Sequence, residues 1–293
     1  MALFEGTCVA LITPFTNSGE VDYDAFSKII DRCINSGVDA LCICGTTGEP
    51  STMSQTERDE VISFAINKIA GRVKSIVGCG CNSTSSTISN AVKAQQMGAD
   101  GILVVTPYYN KCTQRGLIEH YTAVAKAVTL PVILYNVPSR TGVNLLPTTA
   151  LALSKVENIV AIKEASGSIE QLMTLCRLVE GKMDVYLGED ALTFVGMTLG
   201  AKGVISVVAN VVPELMGDII RYFNQNKLDK ARQIQFRLAE LTSTLFCEVN
   251  PIPVKKAMNF LGYGDGSLRL PLTEMEQTNA QHLFEVMREL NLV

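Results

Sequence analysis

The sequence predicts an α/β fold, a closed (β/α)8 or TIM barrel with a C-terminal helical extension. Eight short, nearly continuous apolar runs alternate with amphipathic stretches of helical length between residues 8 and 207. This alternation is typical of parallel strands that helices bury on both faces. An open doubly wound sheet would typically have fewer strands and a glycine-rich fingerprint after the first. No G-x-G-x-x-G motif follows any of these runs.

The predicted strands are apolar runs, mostly rich in Val, Ile and Leu, that lead into polar or glycine-containing loops. They are CVALIT (8–13), ALCIC (40–44), SIVGCG (75–80), GILVVT (101–106), PVILYN (131–136), IVAIK (159–163), DVYLG (184–188) and GVISV (203–207). The helix-like segments between them are 22–36, 54–70, 84–97, 113–127, 146–153, 168–179 and 189–199.

The pattern changes after the eighth predicted strand. From residue 211 onward the periodicity is helical, with proline or glycine breaks near 251–253, 262–266 and 271. We therefore expect a barrel over residues 1–222 that carries the active site. Residues 223–293 are expected to form an extension of a few helices with no catalytic chemistry of its own.

Composition argues against several classes of protein. The 293 residues are 47% hydrophobic and 18% charged, which is enough apolar material for a large core and too little charge for a disordered chain. The net charge is −4 and no Lys/Arg-rich run occurs, which argues against nucleic-acid binding. No apolar run reaches about 18 residues and no basic segment precedes an apolar one at the start. We expect a cytoplasmic protein without a membrane partner.

The nine cysteines include two C-x-C pairs, at 42/44 and 79/81. The odd count and the missing secretory signal argue against a disulfide framework. Four thiolates on neighbouring strands would be enough for zinc, but structural zinc sites usually space their cysteines by two to four residues on a turn. Both pairs lie in strand-like runs, where cysteine behaves as a small buried hydrophobe. Core packing is the favoured interpretation, and we expect no metal site.

The polar residues of interest follow predicted strands, where a (β/α)8 barrel carries its active site. The loops concerned are GTTGE (45–49), TPYYN (106–110), YNVPSRTG (135–142), KEASG (163–167) and LGED (187–190). Because the carboxyl ends of all strands lie at one end of the barrel, these loops predict a single active site there.

Lys163 ends the sixth predicted strand and is the strongest candidate for chemistry. Period-two alternation places Ile159, Ala161 and Lys163 on one face, which we expect to point into the barrel. Burying a charged lysine is costly, so we expect its pKa to fall, and an unprotonated amine can attack a ketone to form a Schiff base. The alternative is a lysine at the strand end that pairs with Glu164.

Tyr135 ends the fifth predicted strand, the neighbour of the sixth. Its phenol is placed to move protons during imine and enamine formation. A phenol with a pKa near ~10 needs a relay for this, and the candidates are the hydroxyls of Thr46, Tyr108 and Tyr109. The alternative is a core aromatic residue whose hydroxyl makes one hydrogen bond.

Two loops offer groups that bind carboxylates. GTTGE supplies the hydroxyls of Thr46 and Thr47 together with backbone N–H groups. Arg140, between a proline and a glycine, is a candidate bidentate clamp. The alternatives are an ordinary strand-to-helix turn and a solvated loop arginine.

With GTTGE, TPYYN, YNVPSRTG and IKEASG at these strand ends, the chain resembles the 4-hydroxy-tetrahydrodipicolinate synthase (dihydrodipicolinate synthase) family. The similarity extends over essentially the whole chain, including GVISVVANVVP (203–213) and NPIPVK (250–255). The family belongs to the pyruvate-dependent class I aldolases, whose other members include N-acetylneuraminate lyase and 2-keto-3-deoxy-sugar-acid aldolases. The two threonines of GTTGE and the arginine of NVPSRTG favour the synthase.

The resemblance implies a reaction and its residues. Pyruvate would condense with L-aspartate-4-semialdehyde through a lysine Schiff base, in the first committed step of diaminopimelate and lysine biosynthesis, with no metal or organic cofactor. The implied catalytic residues are Lys163, Tyr135, Thr46 and Tyr109. The implied substrate-binding residues are Thr47, Arg140, Gly188 and, through its backbone, Ile205. Tyr109 would reach the neighbouring subunit's site, which implies an obligate dimer, and the family is usually a homotetramer built as a dimer of dimers.

The resemblance also bears on regulation. Lysine-inhibited members bind lysine at the dimer interface through a histidine near the start of the second helix, a glutamate in the third, and neighbouring asparagine and tyrosine residues. Here Asn82 and Tyr108 match, but the histidine positions hold Gln55 and Arg58, and Ser86 replaces the glutamate. A lost charge-assisted hydrogen bond costs about 1.5–3 kcal/mol, roughly tenfold or more in affinity. Inhibition by lysine is therefore expected to be weak or absent.

Two alternatives stay open at this point. A different pyruvate aldolase would share the core residues and differ in the aldehyde that it uses. A non-enzymatic scaffold of the same fold would be expected to have lost Lys163 or Tyr135, and this chain has both.

Overall fold

The computed structural model describes residues 2–293, and its centre is a closed barrel of eight parallel strands. The strands are β1 Gly6–Ala10, β2 Ala40–Ile43, β3 Lys74–Gly78, β4 Gly101–Val105, β5 Val132–Asn136, β6 Ile159–Glu164, β7 Asp184–Leu187 and β8 Gly203–Ser206. They pair in chain order, and β8 pairs with β1 to close the barrel. The predicted fold class is confirmed.

The helices form an outer layer and continue after the barrel. They are α1 Tyr23–Asn35, α2 Gln55–Ile69, α3 Thr84–Gln96, α4 Gln114–Lys126, α5 Pro138–Thr141, α6 Pro147–Leu153, α7 Ile169–Val179, α8 Thr193–Thr198, α9 Pro213–Asn224, α10 Leu228–Arg237, α11 Ala239–Thr244, α12 Ile252–Phe260 and α13 Gln277–Glu289. Side-chain oxygens at the N-caps of α1, α2, α3, α4 and α7 accept backbone hydrogen bonds, which explains where these helices begin. None of the helices within residues 2–293 is long and apolar enough to span a membrane.

Two predicted segments differ most from the structure, and the third predicted strand also ends early, at Gly78 instead of residue 80. The first strand ends at Ala10 and not at residue 13, because residues 11–13 are buried without continuing the strand pairing. The helix predicted over 189–199 is split into a 3₁₀ turn, Asp190–Leu192, and the short helix α8. In these two segments the periodic pattern of buried apolar side chains extends beyond the residues that form one regular strand or helix.

The predicted face of β6 is also wrong at its first residue. Val132 of β5 pairs with Ile159, but the next residue, Ile133, pairs with Ala161, so that Val160 is an extra residue in β6. Ile159 therefore packs in the core between strands and helices, whereas Ala161 packs inside the barrel. The bulge shifts the alternation by one residue, and a sequence pattern of period two does not reveal such a shift.

The cysteines of the C-x-C pairs lie in the core, as core packing predicts, although Cys81 is only half-buried. Burial raises the pKa of Cys42 to about 11 and the pKa values of Cys44 and Cys79 to about 12. Their thiols are therefore protonated at neutral pH, unlike zinc ligands. Across residues 2–293 no group of three or more His, Cys, Asp or Glu side chains is arranged to hold a metal ion.

Candidate active site

A cavity of about 290 Å³ opens at the carboxyl ends of the strands and brings together most of the residues that the sequence singles out. Its lining includes Lys163, Tyr135, Thr46, Thr47, Arg140 and Gly188. These residues come from the ends of β5, β6 and β7 and from the loops after β2 and β5. The strand-end argument therefore located the cavity correctly.

Lys163 is 5% exposed and points into this cavity. Its Nζ lies 4.5 Å from the centroid of the Tyr135 ring, because the two residues are paired in the register of β5 and β6. Within residues 2–293 the amine forms no ion pair. A buried amine in contact with a phenol ring is suited to nucleophilic attack on a carbonyl group.

Glu164 is not the partner of Lys163. Its carboxylate accepts hydrogen bonds from Asn136 Nδ2 at 3.0 Å and from the backbone N–H of Ser166 at 2.8 Å. Burial raises the pKa of Glu164 in spite of these bonds. The structure thus contradicts the alternative in which Lys163 is a strand-end lysine paired with its neighbour.

Gly188 provides the space that the Lys163 side chain occupies. A Cβ atom built on Gly188 would lie 2.6 Å from Cβ of Ala165 and 2.9 Å from Cε of Lys163. Any larger residue here would have to displace Ala165 as well as the lysine. The backbone N–H of Gly188 is fixed by a 2.7 Å hydrogen bond to the carbonyl oxygen of Glu164.

Asn250 holds the two loops that carry the candidate carboxylate-binding groups. Its side-chain Nδ2 donates to Oγ1 of Thr47 at 3.0 Å, and its backbone carbonyl oxygen accepts from Nη2 of Arg140 at 3.2 Å. Asn250 also lines the cavity. The C-terminal extension, for which no site chemistry was expected, therefore contributes a residue that positions the site.

Two of the predicted residues do not line the cavity. Tyr109 is 85% exposed and has a φ of +70°, so its side chain extends away from the barrel. Ile205 is fully buried inside the barrel, where it pairs with Cys8 of β1, and Val207 lines the cavity two residues further on. A role for Ile205 is thus restricted to its backbone, and Tyr109 contributes nothing to the site of its own chain.

Asp190, which sequence reasoning left without a role, fixes the loop after β8. Its Oδ2 accepts hydrogen bonds from the backbone N–H groups of Val207 at 3.0 Å and Val208 at 3.2 Å. Burial raises the pKa of Asp190. The LGED motif places Asp190 at a strand end, but the backbone amides that it binds, those of Val207 and Val208, lie on a different strand-end loop.

A buried ion pair between Lys255 and Glu49 also fixes the GTTGE loop. Nζ of Lys255 in α12 lies 2.6 Å from Oε1 of Glu49, and both side chains are 1% exposed. Glu49 itself adopts left-handed backbone angles, φ 52° and ψ 42°. Burial lowers the pKa of Lys255 to about 8, and the Glu49 carboxylate opposes this shift. The pair therefore connects the two-threonine loop to the NPIPVK segment.

We expect Lys255→Met to lower the free energy of unfolding by about 3–5 kcal/mol, because it leaves the Glu49 carboxylate buried without its partner. Urea unfolding measures this change. Adding Glu49→Gln to the same variant is expected to restore part of the loss, and Arg115→Ala, which breaks the exposed pair Arg115–Glu119, is the control with no measurable change. A Lys255→Met protein as stable as the wild type would contradict the assigned role of the pair.

A buried lysine at the carboxyl end of a (β/α)8 barrel, in contact with a tyrosine ring, is the arrangement expected in a Schiff-base-forming lyase of the class I aldolase type. A sequence model of the dihydrodipicolinate synthetase family matches residues 3–290. The chain belongs to this family.

Individual relatives agree with this assignment. The 4-hydroxy-tetrahydrodipicolinate synthase of Alkaliphilus oremlandii (strain OhILAs) is 47% identical over 291 residues, which cover 99% of this chain and 100% of that protein. The crystal structure of dihydrodipicolinate synthase from Thermotoga maritima has a TM-score of 0.98 at 39% identity and covers 100% of both chains. A monomeric dihydrodipicolinate synthase variant has a TM-score of 0.97 at 39% identity, covering 99% of this chain and 98% of its own.

Proposed function

We propose that this protein condenses pyruvate with L-aspartate-4-semialdehyde to give 4-hydroxy-tetrahydrodipicolinate, the first committed step of diaminopimelate and lysine biosynthesis, in the cytoplasm. The observation that carries the proposal is the buried Lys163 amine at the cavity, 4.5 Å from the Tyr135 ring. Family membership supports the choice of substrates.

The reaction begins with the Lys163 amine. Nζ attacks C2 of pyruvate, and loss of water from the carbinolamine gives an imine, which serves as the electron sink without a metal or organic cofactor. Loss of a C3 proton gives an enamine, whose C3 attacks the aldehyde carbon of the second substrate. The amino group of that substrate then attacks C2, closes the ring and releases Lys163. The Tyr135 phenol donates and accepts the protons in these steps, with Thr46 next in the relay.

The carboxylates of the two substrates bind to different groups at the cavity. We assign the pyruvate carboxylate to Thr47 and the backbone of Ile205, and the semialdehyde carboxylate to the Arg140 guanidinium. Asn250 bonds to both Thr47 and Arg140, so it sets the relative position of the two binding groups.

Tyr109 is assigned to the site of a second copy of the chain. Its exposed side chain has no role in its own cavity, and the family resemblance assigns its hydroxyl to the proton relay of a neighbouring subunit. We therefore propose a homodimer, or a homotetramer built as a dimer of dimers. Sedimentation analysis checks this assembly, for which the monomeric relative at 39% identity provides a useful comparison.

The test of the proposed function is the rate of pyruvate consumption with L-aspartate-4-semialdehyde, measured beside N-acetyl-D-mannosamine as the aldehyde of the competing aldolase. We expect turnover of pyruvate with the semialdehyde, with release of the cyclic product, and no turnover with the amino sugar. Turnover with the amino sugar alone would show that the chain is a different pyruvate aldolase. No adduct and no turnover with either aldehyde would show a non-enzymatic scaffold.

The same assay with added L-lysine tests the altered regulatory positions. Arg58 is buried where lysine-inhibited members are expected to carry a histidine, and a guanidinium there repels the lysine ammonium group. We expect no inhibition below millimolar lysine. Half-inhibition below millimolar lysine would contradict this expectation.

We expect Gly188→Ala to lower turnover by about 100-fold, because the added Cβ would lie within 3 Å of both Ala165 Cβ and Lys163 Cε and so displaces the reactive side chain. Initial rates, together with thermal unfolding to verify the fold, measure the effect. Gly217→Ala in α9 is the matched control, since its new Cβ would meet no atom closer than 3.7 Å. A Gly188→Ala enzyme with the wild-type rate would show that the glycine is not needed for the position of the amine.

A further inference from the structure

The loop after β8 belongs to the motif GVISVVANVVP, most of which has no part in the mechanism above. The loop passes beside the active site, because Val207 lines the same cavity as Lys163. Two buried side chains hold the backbone of Val207. Its N–H donates to Oδ2 of Asp190 at 3.0 Å, and its carbonyl oxygen accepts from Nδ2 of Asn210 at 3.0 Å. The peptide groups on both sides of this residue are therefore fixed.

The Asp190 carboxylate is buried without an ion pair. The side chain is 2% exposed, and within residues 2–293 its Oδ1 has no hydrogen-bond partner, whereas Oδ2 accepts from the backbone N–H groups of Val207 and Val208. Burial raises the pKa of Asp190, and hydrogen bonds from Ser206 and from the two amides oppose this shift. A neutral side chain would fill the position at a lower cost, so the carboxylate calls for a functional explanation.

The backbone of Asp190 is held as firmly as the loop that its side chain binds. Its carbonyl oxygen accepts from Oγ1 of Thr193 at 2.9 Å and from Nε2 of Gln235 at 3.2 Å. Gln235 lies in α10, and its Oε1 accepts from the backbone N–H of Phe194 in α8 at 3.0 Å. Two helices outside the barrel thus fix the carboxylate in advance of substrate binding.

Asp190 is also close in the chain to the residue that makes room for the reactive amine. Gly188 lies two residues before it, and a Cβ atom there would lie 2.9 Å from Cε of Lys163. The segment 188–190 therefore borders the Lys163 side chain at one end and holds the loop after β8 at the other.

We propose that Asp190 is a positioning residue for the pyruvate half of the reaction. By holding the peptide groups of Val207 and Val208, its carboxylate keeps the loop after β8, and with it the backbone of Ile205, in place for pyruvate bound to Lys163. The inference rests on the proposed function, which assigns the pyruvate carboxylate in part to that backbone.

The semialdehyde half of the reaction is expected to be independent of Asp190. The carboxylate of that substrate is assigned to Arg140, whose Nη2 donates to the carbonyl oxygen of Asn250. In the described chain Asp190 makes no hydrogen bond to either residue. Because pyruvate binds and loses water before the semialdehyde reacts, kcat/KM for each substrate reports its own half of the reaction.

Steady-state kinetics of Asp190→Ala and Asp190→Asn, with both substrates varied, test the inference. We expect Asp190→Ala to lower kcat/KM for pyruvate by about tenfold or more, because hydrogen bonds to a charged group are lost. The value of kcat/KM for the semialdehyde should stay within about twofold of the wild type. In Asp190→Asn the amide oxygen can still accept from the two N–H groups, so we expect a smaller loss, again for pyruvate alone. This variant keeps the test valid if the alanine variant does not fold.

Asp39→Asn is the matched control, because the Asp39 carboxylate also accepts a backbone N–H, that of Thr7 at 2.8 Å, but at the amino ends of the strands. It should lower the thermal stability and leave both values of kcat/KM unchanged. Equal losses for both substrates, a loss for the semialdehyde alone, or no loss in a folded Asp190 variant would overturn the inference. A wild-type protein without turnover would instead refute the proposed function, so the two failures are distinguishable.

Discussion

Lys163→Ala is expected to abolish the condensation completely. The amine is the nucleophile of the proposed mechanism, and no other lysine lines the active-site cavity in the described chain. When a covalent nucleophile is lost, the only catalysis that typically remains is the part that comes from binding and orienting the substrates. Pyruvate consumption with L-aspartate-4-semialdehyde measures the loss, and thermal unfolding verifies that the barrel remains folded.

The matched control is Lys155→Ala, which removes an exposed lysine shortly before the same strand. We expect this variant to turn over at the wild-type rate. A Lys163→Ala enzyme that retains measurable condensation would show that the imine forms on another residue or does not form.

Tyr135→Phe is expected to lower turnover by about 10²–10⁴-fold while it preserves the ability to bind pyruvate covalently. The substitution removes only the phenol hydroxyl, and the ring that contacts Lys163 stays in place. The amine can therefore still attack the ketone, but the dehydration and enamine steps lose their proton donor and acceptor. Stopped-flow formation of the adduct and steady-state turnover, measured on the same preparation, separate the two effects.

Tyr121→Phe is the control for this variant. Tyr121 is fully buried and donates to the carbonyl oxygen of Val104 at 3.2 Å, outside the active-site cavity. Its loss should affect stability and leave turnover unchanged. Equal turnover of Tyr135→Phe and the wild type would mean that the phenol is only a packing group.

The barrel and the place of its candidate active-site cavity were predictable because both follow from local patterns. Apolar runs of strand length and the amphipathic segments between them are visible within short windows of sequence. Neighbouring strands in the chain are neighbours in a (β/α)8 barrel, so the order alone places Tyr135 next to Lys163. The LGED segment likewise placed Gly188 at the mouth of the barrel.

The features that were missed depend on contacts between distant parts of the chain. Asn250 bonds to Thr47 across 203 residues, and Lys255 pairs with Glu49 across 206. Nothing local marks these partners, since an asparagine before a proline and a lysine in an apolar helix each fit several environments. The bulge at Val160 was missed for a related reason. It arises from the pairing of β6 with β5, and the residues of β6 by themselves do not indicate it.

The central claim is that pyruvate becomes covalently bound to Lys163, and borohydride reduction followed by peptide mass mapping tests it most directly. The wild-type protein is incubated with pyruvate, reduced and digested, and each lysine is examined for the mass of one reduced pyruvyl group. We predict modification of Lys163 and of no other lysine. An unmodified Lys163, with the label on another lysine or on none, would contradict the account.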